Sequence, residues 1–352
     1  MDSDLMKERR EFDDLKIGVK GLSDSGITSI PRFFVQNSED LSDLKKSSEL
    51  AEIPTIDLSG VNTDKRKEIT EQVSKAAREW GFFQIVNHSI PASSLDAIIS
   101  AIRWFHEQPQ EIKKQHYNRE KPVAYVANND LFRSKAASWR DTLLVSLAKE
   151  EPEIDQIPEI CRKEVVEWKE HATRVGEILM ELLGEGLGLE TCRLKEIECA
   201  SKWILVGQYY PYCPQPELTL GIPTHTDKGV LTVLVQDQIG GLQVKKDGEW
   251  VAVKPLAGAL VINIGDFLQV ISNGEYKSAE HRVLANPHHR SRTSVAVFLS
   301  PSEENTGLYG PLTELLSPTK PALYRDFTIS EQNQIFTSKE LTNIYLPNEF
   351  KV

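Results

Sequence analysis

Between residues 202 and 300 the chain keeps one texture, and that texture limits the fold more than any other feature. WILVGQYY, VLTVLVQD, GLQVKK, WVAVKP, ALVINIG, FLQVIS, EHRVLAN and TSVAVFLS are short, rich in β-branched residues and separated by turn signals such as Asn273-Gly274. Eight such segments within roughly 100 residues predict two packed antiparallel sheets, a sandwich or jelly roll. The N-terminal half reads differently. Ile69, Val73, Ala76, Ala77 and Trp80 mark one helix face, and FFQIVNH returns as a strand. A second helix carries Leu95, Ile98, Ile99, Ile102 and Phe105, with Ser94 expected as its N-cap. A third, near 162–187, carries Val175, Leu179 and Leu183 and stops in GEGLGL. IPTID, at 53–57, reads as a further short strand. The expected fold class is α+β: a double-stranded β-helix (jelly-roll, cupin-like) core with flanking helices mainly from the N-terminal half.

One place in the β-rich half breaks its own rule. PTHTDKGVLTVLVQD sets His225 and Asp227 at the entrance of an apolar run, and both groups are costly to bury without a partner. On a strand, residues i and i+2 share a face, so the pair is aimed at one target. By itself the pair is equally consistent with a salt bridge or a cap. Downstream, NGEYKSAEHRVL places His281 at another strand start, and Arg292 and Ser294 follow, again i and i+2. Two histidines and one carboxylate form a facial set that leaves coordination positions open and suits Fe(II). A zinc hydrolase could use the same three ligands. Arg292 and Ser294 favour iron with an organic acid, since a buried guanidinium beside a metal needs an anionic partner and a carboxylate matches it best. The implied ligand has one carboxylate for Arg292 and another end that chelates metal. 2-Oxoglutarate has both.

Composition excludes other classes. The chain has 352 residues, 40% hydrophobic and 26% charged, with 41 basic against 52 acidic residues and a formal charge of −11. No Lys/Arg-dense stripe with interleaved aromatics is present, so a nucleic-acid partner is not expected. No run approaches the roughly 20 apolar residues of a membrane span. MDSDLMKERREFDD lacks the apolar stretch of a secretory signal. Cys161, Cys192, Cys199 and Cys213 form no C-x-x-C pair and read as reduced thiols of a cytoplasmic protein.

With these motifs in hand, the sequence resembles the plant soluble 2-oxoglutarate/Fe(II)-dependent dioxygenases. IPTIDLSG and AREWGFFQIVNH resemble their N-terminal region. YYPYCPQPELTLG, HTDKGVLTVLVQDQIGGLQV, INIGDFLQVISNGEYKSAEHRV and RSRTSVAVFLSP resemble their catalytic core. The resemblance implies an N-terminal dioxygenase region at 53–165 and an Fe(II)/2-oxoglutarate jelly-roll core at 200–302, with extensions 1–52 and 303–352 packing on it. It implies iron on His225, Asp227 and His281, and 2-oxoglutarate on Arg292, Ser294 and Tyr210. At the position two before this Tyr the family usually has Asn, whereas this chain has Gln208, whose longer arm leaves its contact with the cosubstrate open. The segment LKIGVKGLSDSGITSIPRFF is most similar to the subgroup of aminocyclopropane-carboxylate oxidase homologues, desacetoxyvindoline 4-hydroxylase and benzoxazinoid-glucoside dioxygenase.

The implied activity is oxidation, by default hydroxylation, of a small plant specialised metabolite, with 2-oxoglutarate and O₂ converted to succinate and CO₂ and ascorbate in support. Desaturation, ring closure or O-demethylation would use the same cofactors. An ascorbate-dependent aminocyclopropane-carboxylate oxidase and a non-catalytic receptor are the other readings. Phe298 and Ser300 continue the Ser294 face toward substrate, and Trp139, Thr142 and Leu144 are expected on an opposite wall. Residues 18–35 and the C-terminal IFTSKELTNIYLPNEF are read as lids. Asp266 is expected to fix a turn, His88 to hydrogen-bond, His288 and His289 to be solvated, and Lys228 to be exposed. The expected state is a monomer acting on a small molecule.

Overall fold

The computed structural model describes residues 3–37, 41–45, 47–48, 52–129, 131–147, 154–339 and 345–352. Two sheets form its centre. The larger has the order β2-β3-β11-β8-β13-β6-β5-β4 and the smaller the order β1-β10-β9-β12-β7. The strands are β1 (Ser47–Ser48), β2 (Thr55–Asp57), β3 (Phe82–Val86), β4 (Val123–Val126), β5 (Asp141–Leu147), β6 (Lys202–Tyr210) and β7 (Leu220–His225). They continue with β8 (Leu231–Gln236), β9 (Leu242–Lys246), β10 (Glu249–Ala252), β11 (Leu260–Ile264), β12 (His281–Leu284) and β13 (Arg292–Ser300). The helices used below are α1 (Ser3–Leu15), α2 (Gly18–Asp24), α3 (Arg66–Glu79), α4 (Ala92–Glu107), α5 (Glu159–Gly186), α6 (Asp266–Ile271) and α7 (Ile329–Ser338). The jelly-roll core with flanking helices is the expected fold.

Strand alternation divides the large sheet into two unlike faces. Leu143, Val145, Leu205, Val233, Val235, Val295, Val297 and Leu299 are buried in the main core beside Ile98, Ile102, Val175 and Leu179 of α4 and α5. The intervening residues of β5, β6, β8 and β13 face the smaller sheet. There Phe82, Tyr210 and Val261 form a second apolar layer with Ile222, Leu242, Val244 and Val283. That inter-sheet layer is where a site can be enclosed on both sides.

Two local expectations are corrected. FLQVIS is helical: α6 spans Asp266–Ile271, with all six residues buried. A short apolar run buried on every side has no periodicity to separate strand from helix. Gly265 decides the matter, because a Cβ there would lie 2.1 Å from the Gly229 carbonyl oxygen, so the backbone turns against the neighbouring loop. In its place LGIPTH supplies a strand, β7, despite its proline. Ser94 does not cap α4, which begins at Ala92 behind Pro91. α5 ends as expected, and Gly188 takes a positive φ of 78° beyond it. At the N-terminus, Phe12 of α1 and Val19 of α2 join Ile30, Phe33 and Phe34 in a separate cluster against Trp139, Cys213 and Ala285.

Candidate active site

β7 and β12 pair antiparallel with His225 opposite His281, and their ring centroids lie 4.1 Å apart. Each imidazole is held by its Nδ1, His225 to the Pro223 carbonyl at 2.9 Å and His281 to the Ala279 carbonyl at 3.1 Å. A carbonyl only accepts, so Nδ1 carries a proton in each ring and Nε2 is the atom turned inward. Both Nε2 atoms lie 3.7 Å from Asp227 Oδ1. The three ligand atoms fall within 4.8 Å of one another. Asp227 is not on the strand, correcting the expectation that one strand presents both ligands. β7 ends at His225, and Asp227 lies in the turn before β8.

Two polar residues of the large sheet fix that carboxylate. Thr232 Oγ1 donates to Asp227 Oδ2 at 2.6 Å and Asn263 Nδ2 donates to the same oxygen at 2.7 Å. Thr232 and Asn263 are paired across β8 and β11. Oδ1 is left for the histidines. Burial, then the charge of His281, pushes the His225 imidazole down to about 3, so it is a neutral ligand. Burial opposes the Asp227 charge, but His281, His225, Thr232 and Asn263 more than offset it and hold the carboxyl below its usual range. Two imidazoles and one carboxylate converging in a buried space fit a divalent cation, and the all-N/O donor set with no thiolate fits Fe(II).

Across the inter-sheet space, β13 begins with Arg292, 1% exposed. Its Nη1 donates to Ser294 Oγ at 3.0 Å, its Nη2 donates to Gln236 Oε1 at 3.0 Å, and its guanidinium lies 4.7 Å from the Tyr210 ring centroid. These partners are all neutral. Arg292 Nε and Gln236 Nε2 are buried with no hydrogen-bond partner. Orphaned buried donors beside a guanidinium fit an anion. Gln208 occupies the next strand, opposite Ser294, and accepts at Oε1 from Thr142 Oγ1 at 2.8 Å.

Phe298 lies further along the same face of β13, opposite Thr232, and is half-buried, as are Leu144, Ile204 and Leu234 on that face. Ser300 is 8% exposed, with its Oγ against Gly229. Trp139 is fully buried against Phe34, with its indole N–H donating to the Tyr212 carbonyl. It therefore offers a substrate no surface. Thr142 is likewise fully buried, and its hydroxyl is committed to Gln208. Lys228 is corrected from exposed to half-buried: its Nζ bonds Asn333 Oδ1 at 2.9 Å and lies 4.9 Å from the Phe336 ring centroid of α7. Asp266 accepts from Thr226 and from the Leu346 amide, so it ties the ligand turn to the C-terminal segment. His88 bonds the Gly258 carbonyl. His288 and His289 are exposed, with His289 stacked on Tyr212. The four cysteines are free thiols. Of the proposed C-terminal lid, residues 340–344 lie outside the described residues.

Thr232, Asn263 and Gln236 escaped the sequence reading. Each looks like ordinary polar alternation in a strand, and only strand register reveals that they share the face of Asp227 or Arg292.

The chain as a whole is similar to known proteins. Residues 202–301 match the 2OG-Fe(II) oxygenase superfamily, and residues 53–165 match the N-terminal region described as that of a non-haem dioxygenase in morphine synthesis. The chain is 47% identical to 1-aminocyclopropane-1-carboxylate oxidase homolog 4 of Arabidopsis thaliana, over 96% of each protein. It is 43% identical to deacetoxyvindoline 4-hydroxylase of Catharanthus roseus, over 93% of this chain and 84% of that one. Among solved structures, JOX2 in complex with 2OG, Fe and JA superposes with a TM-score of 0.83 at 29% identity, covering 95% of this chain and 97% of the other.

Proposed function

Since the chain belongs to the 2OG-Fe(II) oxygenase superfamily, an oxidoreductase family that works with iron and 2-oxoglutarate, we propose that it hydroxylates a small plant specialised metabolite. In this reading the enzyme works as a cytoplasmic monomer. Among the described residues no helix is long and apolar enough to cross a membrane. The observation that carries the reading is the pairing, inside one inter-sheet space, of the His225–Asp227–His281 cluster with the Arg292–Ser294 pair.

Iron, when bound, activates O₂ at the expense of 2-oxoglutarate, which leaves as succinate and CO₂. The chain's own part is orientation. His225 and His281 present lone pairs fixed by backbone carbonyls, and Asp227 supplies the single negative charge. Thr232 and Asn263 keep that carboxylate from rotating. Arg292 and Ser294 take the distal carboxylate of 2-oxoglutarate, with Tyr210 beneath the guanidinium. The half-buried apolar face of Leu144, Ile204, Leu234 and Phe298 then excludes water and meets an apolar substrate. The hydroxylase among the relatives supports oxygen insertion over the other outcomes.

The test is incubation with Fe(II), 2-oxoglutarate, O₂, ascorbate and a panel of specialised metabolites. Succinate formed in step with a substrate mass gain of one oxygen is the expected result. Loss of two hydrogens would indicate desaturation or ring closure instead, and loss of a methylene would indicate O-demethylation. Substrate oxidation that needs ascorbate but consumes no 2-oxoglutarate would overturn the reading.

A further inference from the structure

The polar row facing the cosubstrate site has a consistent direction. Strand register places Thr142, Gln208, Ser294 and Gln236 side by side across β5, β6, β13 and β8. Gln208 gives its oxygen to the Thr142 hydroxyl at 2.8 Å, and Gln236 gives its oxygen to Arg292 at 3.0 Å. Ser294 Oγ accepts from Arg292, which leaves its proton to donate. The amide nitrogen of Gln236 is buried without a partner, and that of Gln208 makes no hydrogen bond to the described residues. The atoms of the row left with no partner are amide nitrogens, which are donors, and donors are what an anion requires.

We propose that Thr142 is a positioning residue for the cosubstrate: by donating to Gln208 Oε1 it turns the Gln208 amide nitrogen toward the 2-oxoglutarate held by Arg292 and Ser294. The inference rests on the function proposed above. A threonine hydroxyl can donate or accept, so the pair could in principle form with the amide reversed. That arrangement would aim a carbonyl lone pair at a dianion, and the charge of the ligand selects against it. The arm of Gln208 carries its oxygen to β5, where Oε1 accepts from Thr142 Oγ1 at 2.8 Å. The Thr142–Gln208 pair thus converts a side chain with one more rotatable bond into a fixed donor. Without the hydroxyl, Gln208 would retain its donors but lose their direction.

The experiment is a calorimetric titration of 2-oxoglutarate into the anaerobic Fe(II) enzyme, with KM for 2-oxoglutarate measured in parallel. Thr142→Val, nearly isosteric, should weaken binding about tenfold, the worth of one charge-assisted hydrogen bond. KM should rise more than kcat falls, and Thr142→Ser should restore both. In a Gln208→Ala background the Thr142→Val change should cost nothing further, because the two residues act through one contact. Wild-type affinity in a folded Thr142→Val protein would overturn the inference. So would an undiminished Thr142→Val loss in the Gln208→Ala background. Failure of the wild-type enzyme to bind 2-oxoglutarate at all would instead overturn the underlying function.

Discussion

Asp141 and Thr142 are adjacent on β5 and serve opposite faces. Thr142 reaches Gln208 in the inter-sheet space. Asp141, fully buried, accepts from the Val19 amide at 2.7 Å and the Lys20 amide at 2.9 Å, and so anchors the start of α2. Burial pushes the Asp141 carboxyl up to about 6 from its ordinary 3.8, although those amides and Lys113 pull the other way. Between those two pH values the folded chain keeps a proton that the unfolded chain has lost. Its contribution to stability therefore falls as pH rises through that window and is flat above it, by about 3 kcal/mol in total. Asp141→Asn should remove this slope. Denaturant titrations of both proteins from about pH 4 to about pH 7 check it, and parallel pH profiles would contradict it. The sequence made His225, Asp227, His281, Arg292 and Ser294 visible, because each is a polar group at the edge of an apolar strand. It could not show Asp141 or Thr142 at work, since their partners lie 122 and 66 residues away in the chain.

At the scale of elements, the N-terminal extension is part of the fold. Arg9 of α1, fully buried, donates to the carbonyls of Leu131 at 2.8 Å, Ser134 at 2.7 Å and Lys135 at 2.6 Å. Helix α1 thereby staples the loop that leads into β5. Arg9→Leu would strand these carbonyls and should lower stability by on the order of 3 kcal/mol, with proteolysis appearing first within 131–138. An unchanged melting temperature and cleavage pattern would refute the staple. Sequence reading recovered α3, α4 and α5 because their apolar residues recur at helical spacing over more than ten residues. It exchanged α6 for β7 because FLQVIS is buried on all sides and LGIPTH is interrupted by proline. Burial pattern carries information only where one face is left polar.

At the scale of the whole molecule, the two sheets divide the labour. The smaller carries His225 and His281, the larger carries Arg292, Ser294 and the residues that restrain Asp227, and the inter-sheet layer keeps the halves in register. The architecture was legible because eight short β segments in succession leave few alternatives. The identity of the substrate was not, since the face proposed to meet it carries Leu144, Ile204, Leu234 and Phe298, residues that in sequence are indistinguishable from core. The central claim is that iron and 2-oxoglutarate share one site built from both sheets. Anaerobic calorimetry of Fe(II) and then 2-oxoglutarate tests it most directly, on wild type, Asp227→Ala and Arg292→Ala. One iron per chain is expected in wild type and in Arg292→Ala, and its loss in Asp227→Ala. 2-Oxoglutarate should bind wild type only with iron present, and bind Arg292→Ala more weakly by about 2–5 kcal/mol. Iron binding that survives Asp227→Ala, or 2-oxoglutarate affinity indifferent to Arg292, would contradict the account.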